Sequence, residues 1–138
     1  MLFRSDPAAL TACPPAISVG AGGKQSLAID AGPGFAFNLY FVIGSTAGTF
    51  PGFPFEGVHI PLNLDFYLLY SFTNPNEGPL VSTLGTLSAT GTATAQFNLA
   101  DGGPPAFVGL QLNHAFAALT PGLDILFVSD PVPLALAP

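Results

Sequence analysis

A chain of 138 residues can form one domain with a sizeable core. Only 7% of the residues are charged, two basic (Arg4 and Lys24) against eight acidic, for a net charge of −6. Nucleic acid and anionic membrane surfaces both select clustered Lys and Arg, so this composition excludes them as natural partners.

Hydrophobic residues make up 49% of the chain, which argues against disorder. The surface must then be built mostly from Thr, Ser, Asn, Gly, Pro and Ala. A soluble monomer ordinarily keeps a charged, mixed surface. Three settings explain its lack here: burial in an assembly, glycosylation, or life as one module of a long secreted protein. No stretch approaches the roughly 18 apolar residues of a membrane span. MLFRSDPAAL has no long apolar signal region, so a secreted chain would have lost its signal or be a fragment. No Asn-x-Ser/Thr sequon occurs, which leaves Ser and Thr as glycan acceptors. Cys13 is the only cysteine, so no disulfide can form within the chain. It is a chance thiol or an interchain bridge.

Residues 1–15, broken by Pro7, Pro14 and Pro15, read as an N-terminal arm or linker. Its apolar residues, Phe3 and Leu10 among them, suit contacts with a neighbouring subunit. Residues 16–138 read as the folded domain. Ile17–Val19 is a short strand, and Lys24–Asp30 a second, with Leu27 and Ile29 inward. Phe35–Ile43 is a strong strand that places Phe35, Phe37, Leu39, Phe41 and Ile43 on one face. The connection Gly44–Gly57 carries Phe50, Phe53 and Phe55, which cap one end of the core or form an exposed apolar patch.

Gly57–Phe72 holds the longest period-2 pattern in the chain. Leu62, Leu64, Phe66, Leu68, Tyr70 and Phe72 alternate with Asn63, Asp65, Tyr67, Leu69 and Ser71, which predicts a strand with one face in the core. Thr90-Gly91 reads as a tight hairpin turn between Leu84–Ala89 and Thr92–Leu99. Val108–Ala117 is a strand with Leu112, His114 and Phe116 on one face. Ile125–Val128 and Val132–Leu136 form a last strand broken at Asp130-Pro131, at an edge or a bulge. About eight or nine strands with turns between them predict an all-β fold, an antiparallel β-sandwich of immunoglobulin-like or jelly-roll-like type.

Several pieces also resemble a known family in order and spacing. They are Asp30-Ala-Gly-Pro, Leu39-Tyr-Phe-Val-Ile-Gly-Ser with Gly48-Thr-Phe-Pro-Gly, and Ile60-Pro-Leu-Asn-Leu-Asp65. The Gly85-to-Leu99 segment, Gly109-Leu-Gln-Leu-Asn-His-Ala-Phe116 and Ser129-Asp-Pro-Val-Pro-Leu134 complete the set. Over most of residues 18–138 the chain looks like the C-terminal β-sandwich module of large predicted secreted proteins of planctomycete-like bacteria. The resemblance implies a secreted sandwich domain and supplies no active site. The family turn before Gly91 more often carries an acidic residue, where this chain has Ser88-Ala89-Thr90.

No nucleotide loop, Gly-x-Ser-x-Gly, Cys-x-x-Cys or His-x-x-x-His occurs, and nothing local pairs His59 or His114 with a serine. His114, on an apolar strand face, reads as a buried neutral histidine bonded to backbone or to a side chain such as Asp65. The acids are scattered among turns, so paired-carboxylate chemistry is not expected. No cofactor is required. Calcium is the metal the residues would suit, with Asn63 and Asp65 two apart on one strand face as its ligands. The alternative is that both bond backbone groups at a kink.

The expected function is a non-enzymatic extracellular or cell-surface structural or adhesive module. It would self-associate into a homo-oligomer or polymer through strand edges or the arm, with Phe3, Leu10, Phe50, Phe53 and Phe55 as contacts. The alternative is a carbohydrate-binding module, calcium-assisted, in which Tyr40 and Tyr67 stack on a glycan.

Overall fold

A computed structural model describes residues 9–138. Among them are twelve short strands and one α-helix, so the chain is an all-β sandwich. One sheet has the order β1-β3-β9-β7, formed by β1 (Leu10–Cys13), β3 (Gly23–Asp30), β9 (Thr92–Leu99) and β7 (Leu80–Val81). The other has the order β2-β12-β10-β4-β8, formed by β2 (Ala16–Ser18), β12 (Val132–Ala137), β10 (Gln111–Leu119), β4 (Leu39–Ser45) and β8 (Leu84–Thr86). Strand β11 (Ile125–Val128) also pairs with β10. It and β12 take successive parts of that strand, so the break at Asp130-Pro131 falls between two segments that pair with β10. A small hairpin of β5 (Phe53–Phe55) and β6 (Val58–Ile60) lies outside both sheets.

The long ladders follow the sequence alternation. β3 pairs with β9 from Gly23↔Leu99 to Asp30↔Thr92, and β4 with β10 from Leu39↔Leu119 to Ser45↔Asn113. Leu27, Ile29 and Ala95 from one sheet meet Tyr40, Val42, Phe116 and Ala118 from the other in a buried cluster. Period-2 pleating puts these residues on the two inner faces and buries their apolar area.

Four expectations are corrected. Gly57–Phe72 is not one strand: β6 ends at Ile60, and Phe66–Thr73 is helix α1. The helix wins because Asp65 caps it, its extended backbone (φ −161°) placing Oδ1 2.8 Å from the Leu68 N–H. Phe35–Ile43 is only partly strand, since Pro33–Phe35 is a 3-10 turn and Phe37 adopts φ 64°. In β4 it is Tyr40 and Val42 that enter the core, while Phe41 and Ile43 face outward under α1 and the β5–β6 hairpin. Leu84–Ala89 and Thr92–Leu99 do not form a hairpin, because β8 pairs with β4 and β9 with β3, in different sheets. Finally, Leu10–Cys13 is not an arm. It pairs with β3, and Ala9 and Leu10 lie in the main core cluster.

Candidate functional site

An apolar groove of about 530 Å³ opens on the outer face of the β4–β10 sheet. Its floor is Phe41, Ile43, Ala117 and Leu119. Phe53, Phe55 and Ile60 of the β5–β6 hairpin form one wall, and Leu68, Leu69 and Phe72 of α1 another. Phe72 stacks on Phe41 at 5.8 Å between centroids and meets Phe55 edge-on at 6.3 Å. These geometries suit aromatic quadrupoles. Leu69 and Phe72 are about half exposed, and Leu123, on the rim, is 64% exposed. Among the described residues, Glu56 is the only charged one in the lining.

Asn63 and Asp65 hold the walls in place. Asn63 Oδ1 accepts the Gly52 N–H at 2.8 Å, and its Nδ2 donates to the Ala47 and Phe50 carbonyls, each at 2.9 Å. This gathers the loop that leads into β5. Asp65 Oδ1 caps α1, while Oδ2 accepts from the Thr46 N–H at 2.8 Å and from Thr46 Oγ1. One carboxylate thus ties the start of α1 to the end of β4. Asn63 Oδ1 and both Asp65 oxygens accept hydrogen bonds, from the Gly52, Leu68 and Thr46 N–H groups and from Thr46 Oγ1. Their arrangement matches backbone bonding at a kink.

Beneath the groove, α1 turns Tyr67 inward. Its hydroxyl lies 2.6 Å from His114 Nε2, and both rings pack on Phe97 of the opposite sheet. His114 is fully buried, and burial lowers its pKa to about 4. It is therefore a neutral core histidine, bonded to Tyr67 rather than to Asp65. Burial also raises the Tyr67 pKa, helped by the negative charge of Asp65. Gly44 makes the close approach possible, since a Cβ there would lie 2.5 Å from Tyr67 Cε2 and 2.6 Å from His114 Cδ2.

Of the expected contact residues, Phe53 and Phe55 line the groove, whereas Phe50 is 87% exposed beside it. Leu10 is 1% exposed and packs inside its own domain, so it is no surface contact. Phe3 lies outside the described residues. Tyr40 is buried and donates to the Ser82 carbonyl at 2.8 Å. Neither it nor the inward-turned Tyr67 forms the expected stacking platform.

No protein-family model matches the chain, and no curated protein matches it in sequence. Among solved structures it is similar to SSP-19 of Caenorhabditis elegans, an MSP-domain protein-like family member, with a TM-score of 0.47 and 15% identity over 94% of this chain and 100% of that one. It is also similar to WR4, a Caenorhabditis elegans MSP family member, with a TM-score of 0.44 and 12% identity over 97% of this chain and 100% of that one.

Sequence reasoning missed Leu68, Leu69 and Phe72 as groove residues because it placed them in a strand. One signal could have found them. Asp65 is a good helix N-cap, and Leu64 before it and Leu69 after it have the spacing of a hydrophobic staple. Both side chains line the groove.

Proposed function

We propose that the chain is a non-enzymatic structural or adhesive module of the cell surface or extracellular space, which associates with further copies of itself through the apolar groove. The observation that carries this reading is the groove itself, walled by partly exposed aromatic and leucine side chains in a chain with little charge. Contact with a second copy would remove that surface from water. The outer strands β1, β2, β7 and β8 have four, three, two and three residues, and short edges resist edge-to-edge pairing. A contact by face is favoured over a contact by edge.

Light scattering of the full chain over a range of concentrations tests this. The mass is expected to rise with concentration, whereas Leu69→Asp, at an exposed helix position, stays monomeric and still unfolds in one cooperative transition. A wild-type chain that is monomeric at the highest concentration would sink the reading.

A further inference from the structure

We infer that the groove takes the Met1–Arg4 segment of a second copy, with Met1, Leu2 and Phe3 on the apolar floor and Arg4 against Glu56. The inference rests on the self-association reading and names the contact that would make it.

The first argument is charge. The chain has two basic residues, and Lys24 belongs to β3 of the other sheet. Arg4 follows three successive apolar residues, just as the groove offers an apolar floor with one anionic rim residue. An arginine there would find Glu56, the only charged partner among the described lining residues.

The second argument is the rim backbone. Glu56 and Gly57 form the two-residue turn between Phe55 and Val58, with φ values of 51° and 79°. Such turns favour Asn, Asp or Gly at the first position, so glutamate sits there under strain. Strain at a ligand-facing rim points to a use for the side chain.

The third argument is reach. Residues 1–8 span at most roughly 28 Å when extended. They join the domain at Ala9, which packs in the same core cluster as Phe127 of β11. Ile125 of that strand lines the groove. A segment of that length can extend beyond its own domain, so two copies could exchange segments reciprocally.

The chain lacks tryptophan, so Phe3→Trp in the full-length protein reports on position 3 alone. Its emission is expected to be blue-shifted at concentrations where the chain associates, and to shift red on dilution or when Leu69→Asp is added. Arg4→Glu and Glu56→Arg should each weaken association about two- to fivefold, and the double exchange should restore it. Water-like emission in the associated chain, or a double exchange no better than the single ones, overturns the inference and leaves self-association standing. Blue emission that persists in a chain monomeric at every concentration overturns the exchange between copies together with the self-association reading.

Discussion

The Tyr67 hydroxyl, on helix α1, lies 2.6 Å from Nε2 of His114, on strand β10, inside the sandwich. This bond joins the helix that walls the groove to the sheet that floors it. His114 Nδ1 is buried without a hydrogen-bond partner among the described residues, so the ring has little means of carrying a charge.

Stability should therefore fall on acidification. The unfolded ring takes up a proton near pH 6.5 and the folded ring only at about 4. The contribution is complete above about pH 6.5 and is lost as pH falls toward 4, reaching about 3 kcal/mol at the lower end. Urea unfolding at pH 7, 6 and 5 is expected to show the decline. In His114→Phe it should be much shallower, and an identical slope in both proteins would contradict the assignment.

Gly44→Ala should destabilise the fold strongly. The added methyl would press on two rings held by each other and by Phe97. Overpacking of this kind costs typically 1–3 kcal/mol or more. Thermal denaturation measures the loss, and a melting temperature within error of wild type would show that the rings can yield.

Asp65→Ala should cost about 2–3 kcal/mol, since it removes the cap of α1 together with the tie to Thr46. Asp65→Asn keeps one acceptor oxygen and should lose less. If the carboxylate's role is only to bond the Leu68 and Thr46 groups, calcium or a chelator is expected to leave the wild-type melting temperature unchanged. A calcium-dependent rise would mark Asn63 and Asp65 as metal ligands.

Leu123→Asn should separate stability from association. Leu123 holds φ 72° on the groove rim, a region where a leucine is strained and an asparagine is not. The variant is expected to melt slightly higher, by about 1 kcal/mol, yet associate more weakly by light scattering. A lower melting temperature would mean that the leucine's contacts outweigh its strain.

The sandwich was legible because a half-buried strand carries its own signature. Leu27 and Ile29 in β3, Ala95 and Phe97 in β9, and Leu112, His114 and Phe116 in β10 alternate, and the pleat sends them inward. Pairing was not legible. Thr92–Leu99 and Leu84–Thr86 are close in sequence yet belong to different sheets, because their partners β3 and β4 lie far along the chain.

The sequence by itself determined an all-β chain with little charge, a buried His114 and a phenylalanine-rich connection over Gly44–Gly57. Only the tertiary structure decided that Phe66–Thr73 is a helix and that β4 turns Tyr40 and Val42 inward. Alternation in Leu62–Phe72 and in Phe35–Ile43 fits more than one backbone, and local pattern does not choose between them. The choice falls to long-range bonds such as Thr46 to Asp65 and to packing such as Tyr67 on His114, which form only once the sheets have met.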